Sequence, residues 1–98
     1  MGMSEILNHA VTELNRRLSG KGYQGTAMFV LTGEGSIFVD SGEARVGEGP
    51  AEVTLTASPD TFLGIVSGSV NPTSAFMSGK LALDGDMGAA MRLASALG

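Results

Sequence analysis

The sequence contains no cysteine and no tryptophan, and it has one histidine and one tyrosine among 98 residues. The lack of cysteine excludes disulfide bonds, thiol nucleophiles and thiolate metal sites, and it is typical of a reducing compartment. Only 16% of the residues are charged, and ten acidic against six basic side chains give a net charge of −4. Because the basic residues are scattered, the sequence predicts neither nucleic-acid binding nor adsorption to an anionic membrane.

Long hydrophobic runs and targeting signals are also missing. The longest continuous apolar run, residues 27–31, is far shorter than the ~20 residues that a membrane-spanning helix needs. Residues 1–6 have neither the basic region nor the apolar stretch of a signal peptide, and Ile6 stands where a myristoylation signal requires Ser or Thr. We therefore expect a cytoplasmic protein without stable membrane insertion.

The apolar residues that are present suffice for a folded core. Hydrophobic residues make up 43% of the chain, and a chain of this length is expected to form one domain, residues 1–98. Aromatic residues are few, whereas methionine occurs six times. Flexible, polarizable side chains should therefore fill much of the interior.

The hydrophobic pattern predicts nine elements in the order α-β-β-β-β-α-α-β-α. Apolar residues at helical spacing mark an amphipathic helix over residues 4–18, which Gly20 and Gly22 end. The apolar run at 27–31 predicts a central strand covered on both faces. Residues 51–57 alternate as a strand with one face toward water.

The remaining elements are shorter. Ser58-Pro59-Asp60 and Asn71-Pro72 are typical of helix starts, because Ser and Asn cap the first turn and Pro fits the first helical position. Asp86 is predicted to cap the last helix in the same way. Further strands are predicted at 36–41, 43–46 and 80–84.

The residues that could carry catalysis are isolated from one another. His9 lies on the polar side of the first helix without a partner for a catalytic triad or a metal. Gly79-Lys80 is followed by Leu81, where a phosphate-binding loop requires Ser or Thr. Asp84-Gly85-Asp86 lacks the further oxygen ligands of a calcium loop. We predict that the protein is not an enzyme and needs no cofactor or metal.

Small residues separate the short elements in the last third of the chain. Gly79, Gly85 and Gly88 separate three short elements, and such residues allow either close packing or an open space. The apolar side chains around this region are predicted to line a cavity for a long apolar ligand: Phe62, Ile65, Val66, Phe76, Met77, Leu83, Met87 and Met91. The same residues could instead form a filled core, and the pattern leaves both readings open. Lys80, Arg92 or the backbone N–H groups of a capped helix start are the candidate anchors for a polar head group.

Three motifs in residues 51–93 suggest a family. They are Ser58-Pro59-Asp60-Thr61-Phe62 after an alternating strand, Asn71-Pro72-Thr73-Ser74-Ala75-Phe76, and Gly79-Lys80-Leu81 followed by Gly85-Asp86-Met87. In order and spacing they resemble the sterol carrier protein family, also called the non-specific lipid-transfer or sterol-binding domain. The first half of the chain is similar more loosely, through its leading helix and its glycine-rich hairpin.

The resemblance implies an α+β fold with helices packed on a five-stranded mixed β-sheet. It also implies a hydrophobic tunnel that binds fatty acids, fatty acyl-CoA, phospholipids or sterols. Two features depart from the family: Ile37 or Phe38 stands where the second strand often has Trp, and no tail with a peroxisomal address follows Gly98. We therefore expect a bacterial, cytoplasmic protein whose groove is open or is completed by a second subunit in a homodimer.

The function that we predict is non-catalytic carriage of a lipid or fatty acyl ligand. The alternative is an accessory or dimerisation domain with a collapsed pocket that docks to a lipid-metabolising enzyme.

Overall fold

The computed structural model describes residues 4–20 and 23–97, and nine elements follow there in the predicted order. Gly20 lies in a turn just beyond the first helix, as expected, whereas Gly22 lies outside the described residues. The elements are α1 (Ser4–Leu18), β1 (Thr26–Leu31), β2 (Gly35–Asp40), β3 (Glu43–Val46), β4 (Val53–Ala57), α2 (Pro59–Ser67), α3 (Pro72–Met77), β5 (Leu81–Gly85) and α4 (Met87–Leu97).

The five strands form one mixed sheet in the order β3-β2-β1-β4-β5. β1 is central, since it pairs antiparallel with β2 and parallel with β4. β3 and β5 are the edge strands, and each pairs antiparallel with its neighbour. The predicted α+β fold with a five-stranded mixed sheet is therefore confirmed.

In the part of the chain that the structure describes, the helices cover one face of this sheet. Along β1 the side chains alternate: Phe29 is buried on the helical face, whereas Met28 and Val30 are half-buried on the other. The expectation that β1 is covered on both faces is therefore wrong. On this second face Met28 pairs with Phe38 of β2 and with Thr54 of β4. The Arg45 guanidinium lies over the Phe38 ring, 5.0 Å from its centroid.

The predicted apolar stripe of α1 packs into the core. The buried residues of this helix join those of the strands, α2 and α4 in one cluster. His9 is exposed on the opposite side of α1, as the sequence predicts. The buried residues of α1 are Leu7, Ala10, Leu14 and Leu18.

The amide side chain of Asn15 fastens α1 to one edge of the sheet. Its Nδ2 donates to the carbonyl oxygen of Ala44 at 3.1 Å, and its Oδ1 accepts from the backbone N–H of Ala44 at 2.8 Å. The side chain thus pairs with β3 as a neighbouring strand would. Because unpaired backbone groups at a sheet edge invite pairing between molecules, Asn15 also shields this edge.

Gly85 ends β5 in a conformation that only glycine adopts easily. Its φ is +115°, and an added Cβ would overlap the carbonyl oxygen of Glu52 and lie 3.0 Å from the Cα of Val53. Gly79 also has a positive φ, +83°, but the position of its missing Cβ has no neighbour within 4 Å. The two glycines therefore differ more in the space available for a Cβ atom than in backbone conformation.

We expect Gly85→Ala to lower the free energy of unfolding by about 3 kcal/mol, since backbone strain and overlap act together. Gly79→Ala, the matched control, should cost about 1–2 kcal/mol from strain alone. Chemical denaturation followed by circular dichroism measures both values. Equal losses for the two variants would contradict the overlap at Gly85.

Tyr23 is buried just before β1, and its hydroxyl group has no hydrogen-bond partner among the residues that the structure describes. Burial, and after it the negative charge of Glu52, raise the pKa of Tyr23 above its ordinary value of 10.0, whereas Arg92 acts in the opposite direction. The folded protein therefore holds the phenolic proton more tightly than the unfolded chain does.

The protonated Tyr23 hydroxyl should make its full contribution to the free energy of unfolding below about pH 10. This contribution should disappear as the pH rises through the raised pKa of the folded protein. Tyrosinate absorbance can follow the ionisation of this residue alone, because the chain has a single tyrosine and no tryptophan. Tyr23→Phe should remove this loss of stability and change stability at neutral pH by less than about 1 kcal/mol, since the lost hydroxyl has no partner. Ionisation at the pH of an exposed tyrosine would refute the assignment.

Candidate functional site

An open apolar cleft of about 390 Å³ lies between the sheet and the helices. The helical faces of β1, β4 and β5 form its floor, and α2, α3 and α4 supply the rest of its lining. Its size falls within the roughly 300–1,000 Å³ of small-molecule sites. The lining residues are Phe29, Leu55, Phe62, Ile65, Pro72, Thr73, Phe76, Met77, Leu81, Leu83, Met87, Ala90, Met91, Ala94 and Leu97.

Seven of the eight residues predicted to line a cavity come together around this cleft. Val66, the eighth, is not part of the lining and is fully buried in the core. It follows Ile65 on α2, and a step of one residue turns a side chain about 100° around a helix. Contact of these side chains with a ligand stays a prediction. The seven are Phe62, Ile65, Phe76, Met77, Leu83, Met87 and Met91.

Sequence reasoning placed Leu83 at the cleft but missed the rest of its floor and several residues of its walls. Phe29, Leu55 and Leu83 are in register across β1, β4 and β5, and they form one row of the floor. The alternation of each strand shows which residues share a face. That these three residues form one row can be inferred only when the order of the strands in the sheet is known. The lining residues that were missed are Phe29, Leu55, Leu81, Pro72, Thr73, Ala90, Ala94 and Leu97.

An aromatic contact fixes the position of α2 over the floor. The rings of Phe29 and Phe62 meet edge to face, with centroids 5.0 Å apart and an interplanar angle of 63°. Both side chains are almost completely buried and both line the cleft. Such pairs contribute about 0.5–1.5 kcal/mol beyond the area that they bury. The contact therefore ties α2 to the central strand.

Side-chain caps set where the three helices around the cleft begin. Ser58, Asn71 and Asp86 each accept a hydrogen bond from a backbone N–H in the first turn, as the sequence predicts. Substituting such a cap by Ala typically costs about 1 kcal/mol. The donors are the backbone N–H groups of Thr61 (3.2 Å), Ser74 (3.1 Å) and Gly88 (2.8 Å).

Large apolar side chains are concentrated at the mouth of the cleft. Phe76 is 43% exposed and Met77 80% exposed on α3, while Met87 and Met91 on α4 are 49% and 64% exposed. Among the described residues, Val46 is the other large hydrophobic residue that is exposed, and it lies on β3. Exposed apolar clusters of this kind mark sites for ligands or partners.

Charged side chains do not line the described cleft, and Thr73 is its polar lining residue. Of the candidate anchors, Lys80 is exposed just beyond α3. Arg92 points toward Glu52, with 3.7 Å between its Nη2 and the carboxylate Oε1. Neither cation is part of the lining. Within residues 4–20 and 23–97, acidic and histidine side chains form no cluster of three that could hold a metal ion.

These features define an α+β protein with an apolar cleft between a five-stranded mixed sheet and its helices. In the described residues, no helix has both the length and the apolar character needed to cross a membrane. The model of the SCP-2 sterol transfer family matches residues 6–98. The chain therefore belongs to this family, and the resemblance seen in the three motifs is confirmed.

Relatives of known sequence and structure agree with this assignment. The chain is 39% identical over 97 residues to hydroxysteroid dehydrogenase-like protein 2 of Xenopus tropicalis, a match that covers 91% of this chain and 23% of the relative. The chain thus spans about a fifth of the length of the curated relatives that it matches.

Two solved structures from Aedes aegypti share the fold. Sterol carrier protein 2 like 2 is 20% identical, with a TM-score of 0.79 over 96% of this chain and 98% of that one. Sterol carrier protein 2, solved in complex with the C16 fatty acid palmitate, is 18% identical, with a TM-score of 0.76 over 94% of each chain. At these identities the likeness shows the fold.

Proposed function

We propose that this chain binds the hydrocarbon chain of a fatty acid or related lipid in the cleft and carries it without transforming it. The observation that carries the proposal is an open cleft of about 390 Å³ with an apolar lining. The palmitate complex of the Aedes aegypti protein supports the same ligand class. Cytoplasmic location and dimerisation stay predictions.

The lining determines how such a ligand would enter. Burying a carboxylate without a partner is costly, and Thr73 is the polar lining residue that could compensate it. A fatty acid therefore enters with its methyl end first and leaves its carboxylate at the mouth. Because the head group stays in water, acyl chains with different head groups fit the same cleft.

The chemistry of the lining supports a carrier more than a catalyst. Thr73 has a hydroxyl group, but no acid, histidine or lysine in the described part of the lining could activate it as a nucleophile. Transfer of hydrocarbon from water into an apolar site provides affinity without a reactive group. Binding and release of a lipid then require no catalytic group in the cleft.

The length of the relatives favours a second role for the same cleft. Hydroxysteroid dehydrogenase-like protein 2 is more than four times as long as the segment that this chain matches. An accessory module that docks to a lipid-metabolising enzyme and presents a bound lipid to it fits that observation. Both roles require an occupied cleft, so ligand binding is the first property to test.

Affinity for saturated fatty acids should rise about fourfold with each added methylene, because each buried methylene contributes ~0.8 kcal/mol. The rise should stop when the chain becomes longer than the cleft. Displacement of a fluorescent fatty acid by acids of increasing length measures the series. Affinities that do not depend on chain length would contradict insertion of the hydrocarbon chain.

Ala94→Trp should weaken fatty-acid binding about tenfold or more, since an indole on this half-buried lining residue of α4 takes up space in the cleft. Met28→Trp is the matched control, because Met28 is half-buried on the opposite face of the sheet. Circular dichroism establishes that both variants fold. If folded Ala94→Trp protein bound fatty acid as tightly as the control, the ligand would lie elsewhere.

A further inference from the structure

Methionine is concentrated at the cleft. The sequence has six methionines, of which Met1 and Met3 lie outside the described residues. Of the other four, Met77, Met87 and Met91 line the cleft, and Met28 lies on the opposite face of the sheet. The chain has no cysteine, so these thioethers are its reactive sulfur groups.

We propose that Met77, Met87 and Met91 form a peroxide-modification site, and that their oxidation to sulfoxides stops the cleft from holding an apolar chain. The inference rests on the proposed function, because it concerns the control of the same site. It adds a signal, a peroxide, to which the cleft responds.

Solvent reaches all three sulfur-bearing side chains. Met77 is 80% exposed, Met91 64% and Met87 49%. Met87 and Met91 are four residues apart on α4, so they occupy one side of that helix. Met28 is half-buried and provides an internal reference for slower oxidation. Because a thioether has no ionised form, we expect access of peroxide to the side chain to set the order in which these methionines are oxidised.

The oxidation is a two-electron oxygen transfer. A lone pair of the thioether sulfur attacks one oxygen of hydrogen peroxide, the O–O bond breaks, and an S=O bond forms. The second oxygen takes up the proton released by the first and leaves as water, so sulfur is oxidised and peroxide is reduced. The product is a polar side chain that methionine sulfoxide reductases convert back to methionine.

The lining explains why a sulfoxide should expel the ligand. A sulfoxide oxygen accepts hydrogen bonds, and the Thr73 hydroxyl is the donor that the described lining offers. Three sulfoxides must therefore be hydrated, either by leaving the cleft or by bringing water into its mouth. Both outcomes remove apolar contact from a bound hydrocarbon chain, and leaving a polar group dry is costly.

The first measurement maps oxidation by peptide mass spectrometry during treatment with limiting hydrogen peroxide. We expect sulfoxide at Met77, Met87 and Met91 well before Met28. Palmitate, used as the probe ligand, should slow oxidation of Met87 and Met91 by covering the walls of the cleft. Oxidation of Met28 as early as the three cleft methionines would overturn the site.

The second measurement compares binding of a fluorescent fatty acid before and after peroxide treatment. We expect affinity to fall about tenfold or more, and reductase treatment should restore it. The variant with the triple substitution Met77→Leu, Met87→Leu and Met91→Leu should bind the fluorescent fatty acid equally well before and after peroxide treatment. This expectation holds whatever the affinity of the untreated variant. Met28→Leu, the control variant, should keep the full fall.

The two proposals fail in different ways. If untreated protein takes up no fatty acid, the proposed function is wrong, and the oxidation map alone decides whether the three methionines form a modification site. If untreated and fully oxidised protein bind equally well, the carrier function stands and the present inference is overturned. Sensitivity that disappears in Met28→Leu also overturns it.

Discussion

The helices bury one face of the sheet without filling the space above β4 and β5, and the cleft depends on this uneven cover. The longest helix, α1, packs against β2 and β3, where the amide of Asn15 pairs with the backbone of Ala44. The other end of the sheet is covered by α3, with six residues, and by α4. The edge-to-face contact of Phe29 with Phe62 holds α2 over the central strand, so the floor is fixed while the opening remains.

The open mouth reduces the stability that the fold could reach. Complete burial of one large apolar side chain contributes about 1.5–3 kcal/mol, and four such side chains at the mouth are 43% to 80% exposed. A hydrocarbon chain in the cleft would recover part of this free energy, because it covers the lining on entry. Under the proposed function, ligand affinity and the incomplete core therefore have one physical origin.

The parts of this structure that the sequence predicts are those with local causes. Periodicity gives the element order, and the caps at Ser58, Asn71 and Asp86 give the starts of three helices, because capping involves neighbouring residues only. The floor row Phe29, Leu55 and Leu83 depends on strand order, which no local pattern contains. The same limit explains the error at β1, where a continuous apolar run predicted cover on both faces but Met28 and Val30 are half-buried.

The positions of the predicted residues relative to the cleft follow the same division between local and non-local causes. Met87 and Met91 both line the cleft because four-residue spacing places them on one side of α4, whereas Val66 lies in the core because α2 is apolar on more than one side. On α4 the two flexible methionines alternate with the small residues Ala90 and Ala94 in the lining. Rotation of the methionine side chains can therefore change the width of the cleft without moving the backbone. Leucine would offer similar bulk with less adaptability and no oxidisable sulfur. Under the two proposals, adaptation to varied ligands and sensitivity to peroxide therefore have the same atoms as their origin.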